Sequence, residues 1–543
     1  MYSGESDSFI KFFTFTTQNH DYMDAKNKSL RDSAALRWLI LVLLSALMFS
    51  TYWFQDFFSG LKGLMESELG FTSEEFGRLI GLTTIANMFG MIIVGGIVLD
   101  KWGIRLAGIV FGGLAAIGGA LTAMASAGVF GNDHNTMLTM MIAGRVMFGI
   151  GLEITCVVAT RTIVKWFKGY EMALAMAVNV GFGRLGSALG IAVSPDIANG
   201  HVAPAVTFAA TLIGIGLILF IIYTFFDLKI DKQKSGLAEN AVEEEEFRFA
   251  DLIKLATNPS FIYIALLCVA FYAAVFPFIQ YAPDMLVNKF GFTYNLPDDP
   301  NSNVILFGSK ALGNSSIYIL LFLFGLAFSL VPSNIKSRAN KNLSMLIILA
   351  LFLGFCFLLK DTFRIWFSNG PKTASLIPLG TILFTPIFGN YVDKKGKGAS
   401  LMILGSFLLI FAHLSLSLFS VRILAYTGLL SLGIAFSLVP AAMWPSVAKI
   451  VAENRLGTAY ASMFTVQNWG LGLFFWGIGA VLDLANKNDL EAIRAGEMTY
   501  NYTIPILILV LCGVVSIFLA YKLRQADKKQ GYGLELPSGQ RPS

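Results

Sequence analysis

Long apolar runs separated by short polar breaks set the pattern of this chain. Fourteen of them fall at about 37–55, 78–99, 105–127, 137–160, 171–194, 205–227, 260–283, 315–333, 343–360, 373–392, 399–419, 422–447, 457–483 and 502–522. Roughly 20 residues of helix cross the hydrocarbon of a bilayer, so each run predicts one spanning helix. The polar breaks divide the chain into a cytoplasmic N-terminal segment (1–36), a six-helix half (37–227), a central cytoplasmic loop (228–258), a second half (259–523) and a disordered cytoplasmic tail (524–543). Residues 1–36 hold no apolar core followed by a small-residue cleavage site, so no signal peptide is expected. In the central loop FRFADLIKLA has helical spacing suited to the membrane surface, and Asn258-Pro259 marks a helix start.

Composition sharpens the class. The chain is 55% hydrophobic and 14% charged, against about 25% charged in soluble proteins, so an all-α polytopic membrane protein is expected. The four cysteines (Cys156, Cys268, Cys356, Cys512) lie in apolar runs without paired spacing, and the histidines are scattered, His413 within a span. Neither a metal site nor a catalytic constellation is expected, and no cofactor. The net charge of +5 is dispersed over short loops, so it informs topology and gives no reason to expect nucleic acid. Lysine and arginine bias places Lys101, Arg105, Arg161 to Lys168, Lys394 to Lys397 and Lys449 in the cytoplasm, with both termini.

The chain repeats itself. Gly70-Phe71-Thr72 follows the first run and Gly291-Phe292-Thr293 the seventh. GGIVLDKWGIR, with Asp100, and FGNYVDKKGKG, with Asp393, come next in each half. Thr72 and Asp100 are 28 residues apart, Thr293 and Asp393 100 apart, an excess of 72 in the second half. Two apolar runs joined by the basic SNIKSRANK account for it. The reading is twelve core spans plus a two-helix insertion at about 303–372.

Charge within the runs supplies candidate chemistry. Glu153 and Arg184 lie 15 residues either side of the Lys168-Gly169 turn. In an antiparallel hairpin they share one depth, roughly 20 Å from the turn at 1.5 Å per residue. A charge at mid-membrane costs at least ~2.5–3.5 kcal/mol and is rarely left facing lipid. Two readings stand: a structural ion pair tying the helices, or a binding site in a water-filled cavity. Tyr52, Trp53, Tyr272, Gln280, Tyr281, Trp444, Gln467 and Asn468 are candidate cavity residues.

Two six-helix halves in parallel repeat, joined by a cytoplasmic loop, resemble the major facilitator superfamily. Gly96-x-x-x-Asp100-Lys101-x-Gly103-x-Arg105 resembles its signature between helices two and three, and Gly389-x-x-x-Asp393-Lys394-x-Gly396 its weaker copy. Arg145-x-x-x-Gly149-x-Gly151 resembles the fourth-helix signature. FGIGLEI, WFKGYEMALAMAVNVGFGRLGS and WPSVAKIVAENRLGTAYASMFTVQNWGL are similar to the family of major facilitator superfamily domain-containing protein 1, whose characterised members are lysosomal carriers of dipeptides. That resemblance implies that Glu153 and Arg184 hold the two termini of a dipeptide. Charge alone makes the same match, carboxylate to ammonium and guanidinium to carboxylate.

The expected function is therefore a carrier of dipeptides or similar zwitterions working by alternating access, with the lipid bilayer its other partner. An organic-anion carrier in which Glu153 takes a proton is the alternative, and a non-transporting receptor a third reading. Asp100 and Asp393 are expected in the cytoplasmic gate, each near a helix N-terminus of the opposite half. A bacterial inner membrane is expected before a lysosomal one, with no obligate protein partner.

Overall fold

The computed structural model describes residues 30–234, 249–332, 335–452 and 455–537. The expected N-terminal segment lies almost wholly outside the described residues, as do parts of the central loop and residues 538–543. The described chain is helical, with isolated bridges and no strand. In order the main helices are α1 (Ala34–Asp56), α2 (Ser73–Gly81), α3 (Met91–Ser126), α4 (His134–Phe167), α5 (Met172–Ala198), α6 (Val202–Lys234) and α7 (Pro259–Phe290). They continue as α8 (Lys310–Leu330), α9 (Arg338–Leu358), α10 (Leu376–Lys395), α11 (Gly398–Leu418), α12 (Arg422–Ile450), α13 (Leu456–Ala485) and α14 (Thr503–Gln530).

Among the described residues, thirteen helices are long and apolar enough to cross a membrane, where the sequence pattern predicted fourteen spans. The difference lies in the second span. It starts as α2 behind a Thr72–Glu75 capping box, loosens over Leu82–Thr84, and breaks at Phe89–Gly90, where Gly90 takes a φ of 82°. Its last turns are continuous with the third span in α3, and the two meet at Gly103, with φ 74° and ψ 170°. Gly396 occupies the matching turn of the second half with φ 70°. A Cβ is poorly tolerated at such angles, which explains the glycine in both copies of the motif.

The base of the insertion is closed by main chain. Thr293 N–H donates to Ser368 O at 2.9 Å, and Gly370 N–H donates to Thr293 O at 2.9 Å. The chain thus leaves at Thr293 and returns beside it at Asn369, after α8, α9 and the short helix Lys360–Trp366. Asn369, whose side chain accepts from Lys372 N–H, then caps the entry to the next core span. Asn314 of α8, which begins an Asn-x-Ser pattern, is fully buried and donates to Asp196 at 2.8 Å.

The carboxyl end corrects the expectation of disorder from 524. α14 runs to Gln530, then Gly531 and Gly533 take positive φ and fold residues 531–537 back over the second half. Leu534 is buried there. Lys397 N–H donates to Glu535 O at 3.0 Å and Gly398 N–H to Leu534 O at 2.9 Å. The Glu535 carboxylate accepts from Ser400 N–H and Oγ at 2.8 and 2.9 Å. These bonds occupy the free N–H groups at the start of α11, where an anion is favoured.

Candidate functional site

Close packing along the hairpin α4–α5 comes first, because it fixes where the charges point. A Cβ on Gly149 would stand 1.8 Å from Thr83 O, and one on Gly151 2.4 Å from Phe111 O. Across the other helix, a Cβ on Gly186 would meet Phe49 O at 2.2 Å. Small residues therefore press α4 onto the second and third spans and α5 onto α1. Arg145, one turn before Gly149, is fully buried and donates to Phe54 O at 2.7 Å and Gln55 O at 3.4 Å. It ties α4 to the end of α1.

This packing leaves a cavity of about 320 Å³ between the halves, within the usual range of small-molecule pockets. Glu153 and Arg184 both line it. Among the described residues neither is held in an ion pair, and the Arg184 guanidinium lies 4.5 Å from the ring centre of Phe436 in the second half. Tyr52, Tyr272, Trp444, Gln467 and Asn468 line the same space. Trp444 Nε1–H donates to Tyr272 OH at 3.1 Å and its ring stacks on Phe464 at 4.9 Å, while Gln467 Oε1 accepts from the Cys268 thiol at 3.4 Å. Trp53, Gln280 and Tyr281 lie outside it: Trp53 packs on Phe208, and Tyr281 OH donates to Phe475 O.

Sequence reasoning missed the polar wall made by α1 and the second span. Gln55, Asp56, Thr83, Thr84 and Asn87 all face the cavity. Asp56 is buried and accepts from Ser187 Oγ at 2.5 Å and Gln280 Nε2 at 2.7 Å, so one carboxylate joins α1, α5 and α7. Its signal was a lone acid at the end of an apolar run. Three buried amide oxygens around the cavity, Gln55 Oε1 and Asn87 Oδ1 in this wall and Asn468 Oδ1 on α13, have no partner among the described residues. Buried acceptors are rarely left unsatisfied, so these three suit a guest that brings N–H donors.

The cavity is closed at one end and open at the other. From Glu153 and Arg184 toward the basic loops, Thr160 and Val164 on α4 and Ala177 and Val180 on α5 keep the spacing of the cavity face and are exposed. In the other direction Arg145, Ser187 and Ile191 are buried. That end is sealed across the halves. Lys62, fully buried, reaches Asp284 at 2.9 Å and Glu66 at 2.6 Å. Asp284 also accepts from the hydroxyls of Tyr294 and Tyr502. Lys372 bonds Asp196 at 2.8 Å, and Ser59 Oγ–H donates to Ile279 O at 2.8 Å.

The motif residues of the first half pair within that half. Asp100 is paired with Arg161 of its own half, and Arg105 with Asp227 and Asp231, again in the same half. An acid that does meet a helix N-terminus of the opposite half is Asp483 on α13, at the sealed end. It accepts from Ser73 N–H at 3.3 Å and Glu74 N–H at 2.7 Å at the start of α2. Glycines make that contact tight, since a Cβ on Gly77 would meet Phe475 O at 2.6 Å and one on Gly479 Ser73 O at 2.1 Å. Gly96 and Gly389, at the open end, have free space instead.

Known proteins share this architecture. The family model described as Major Facilitator Superfamily matches residues 38–370. The lysosomal dipeptide transporter MFSD1 of Homo sapiens is 26% identical over 514 residues, covering 91% of this chain and 90% of that protein. The Danio rerio protein of the same name is 25% identical over 495 residues, covering 89% and 87%. Among solved structures, the inward open xylose transporter XylE from E. coli superposes with a TM-score of 0.54 at 12% identity, covering 90% of this chain and 96% of its own. A bacterial homolog of the human lysosomal transporter Spinster, inward-facing and occupied, gives 0.53 at 13%, covering 91% and 98%. At these identities the structures speak for the fold.

Proposed function

This chain belongs to the major facilitator superfamily, and from that premise we propose that it carries dipeptides or similar small zwitterions by alternating access. It is a multi-pass membrane transporter of a small molecule; the substrate, the site and the orientation are the proposal. The observation that carries it is the pair Glu153 and Arg184, opposite in charge, lining one cavity and, among the described residues, not spent on an ion pair. In the proposal Glu153 takes the α-ammonium and Arg184 the α-carboxylate. The orphan oxygens of Gln55, Asn87 and Asn468 take remaining N–H groups, including that of the peptide bond. The dipeptide named for the MFSD1 relatives supports the same choice.

An organic-anion carrier fits less well, because Asp56 and Glu153 place two carboxylates in the wall. Glu153 remains a candidate proton carrier in either scheme. The basic loops belong in the cytoplasm by their charge, which makes the open end of the cavity the inward one. Asp100 and Asp393 then lie at the inward gate, and a bacterial plasma membrane is the proposed home.

Uptake of a labelled dipeptide into proteoliposomes tests the reading. A free dipeptide should compete, while its N-acetylated and C-amidated forms should compete roughly 10- to 100-fold more weakly, since each loses a charged hydrogen bond worth about 1.5–3 kcal/mol. Equal competition by both blocked forms would show the charge pair to be structural and end the assignment.

A further inference from the structure

The insertion encloses a second, different space. α9 has no buried residue, and rings hold it against α8, with Phe324 at 5.6 Å from Phe352 and 5.5 Å from Phe355. α8 itself is packed on both halves, since Phe322 meets Phe182 of α5 at 5.3 Å and a Cβ on Gly325 would lie 3.3 Å from Ile382 of α10. Between α8, α9 and α10 runs a groove of about 480 Å³, walled by residues such as Leu321, Ile348 and Leu379. α8 and α9 have the length and hydropathy of spans, so the groove lies within the hydrocarbon.

One end of this groove carries charge. Phe363 and Phe367 line it, and Lys360 and Arg364 fall on the same face at helical spacing, both exposed. Neither cation is in an ion pair among the described residues, and Asp361, the nearby acid, is turned off that face by one residue of helical twist. An apolar slot ending in two exposed cations, Arg364 and a Lys360 that lies 5.3 Å over the Phe357 ring, at the sealed end of the molecule has the chemistry of a phospholipid.

We propose that the groove holds one acyl chain of an anionic phospholipid from the leaflet at the sealed end, its phosphate on Lys360 and Arg364. A protein helix is about 10–12 Å across and does not fit beneath the ring contacts that floor the slot. A single hydrocarbon chain does. The bound lipid completes the packing of α9 and wedges the insertion against α10.

The test uses the full chain, reconstituted with equal phosphatidylglycerol and phosphatidylcholine, extracted in mild detergent and weighed by native mass spectrometry. One phosphatidylglycerol should stay bound. Ile348→Trp fills the slot from α9, a helix that buries nothing and so tolerates the change, and should release it. Lys360→Glu with Arg364→Glu should lower the preference for phosphatidylglycerol by roughly 10-fold or more, given about 1 kcal/mol per basic residue. Thermal unfolding confirms that each variant is folded. Unchanged retention in Ile348→Trp, equal retention of the two lipids by the unaltered protein, or a dimer that Ile348→Trp dissolves would each overturn the proposal, the last by seating a second copy in the groove.

Discussion

At the scale of single residues, Asp56 links the cavity wall to the packing of both halves. It joins three helices through Ser187 and Gln280, and Arg145 and Arg184 lie close enough to act on its charge. Asp56→Asn keeps the shape and removes that charge. Each lost charged hydrogen bond costs ~1.5–3 kcal/mol, so thermal stability in detergent should fall measurably. The apparent affinity for a dipeptide should fall less than in Arg184→Ala, which removes a proposed substrate contact; KM values from uptake decide this. That Glu153 and Arg184 face a shared cavity was legible because a charge inside an apolar run is rare. Asp56 gave a weaker signal, because it stands one residue past the expected span, where an acid is ordinary, while α1 runs on to include it.

At the scale of elements, the spans were legible from apolar runs and the insertion from unequal spacing between repeated motifs. The break in the second span was not, since Phe89 and its neighbours are as apolar as an unbroken helix; only Gly90 hinted at it. The carboxyl segment was misread for a related reason. Its polar composition suggests disorder, yet two glycines turn it and one leucine anchors it. Deleting residues after Gln530 removes the bonds to Lys397, Gly398 and Ser400 and the burial of Leu534. At about 1 kcal/mol per hydrogen bond and ~1.5–3 kcal/mol for a buried leucine, a loss of a few kcal/mol is expected. A lowered Tm and faster proteolysis at the loop between α10 and α11 would register it; an unchanged Tm would show the segment to be passive.

At the scale of the whole molecule, the two ends differ in how they are made. The sealed end joins residues more than 200 positions apart, such as Lys62 with Asp284, which no local pattern reveals. Removing one partner of a buried ion pair strands the other and costs about 3–5 kcal/mol. Lys62→Met should therefore weaken the seal and favour the state open at that end. Spin labels at positions 67 and 298, both exposed, should move apart relative to the unaltered protein. Adding Asp284→Asn should recover part of the stability by removing the more deeply buried of the two stranded charges, Glu66 being the other. Distances that do not change in Lys62→Met would mean that the remaining contacts, Lys372 with Asp196 and the packing of α2 on α13 among them, hold the seal without Lys62.

The cavity also has an electrical consequence. Asp56, Glu153 and Arg184 in the wall, with the buried Arg145 just behind it, sum to zero formal charge. A neutral dipeptide leaves that sum unchanged, so the loaded and empty carriers should reorient alike in a membrane field, where each net charge moved is worth about 2.3 kcal/mol per 100 mV. Uptake of such a substrate should be independent of an imposed potassium diffusion potential and draw no current. A current that scales with uptake would mean that a cation travels with the dipeptide, and Glu153 would be the first place to look for it.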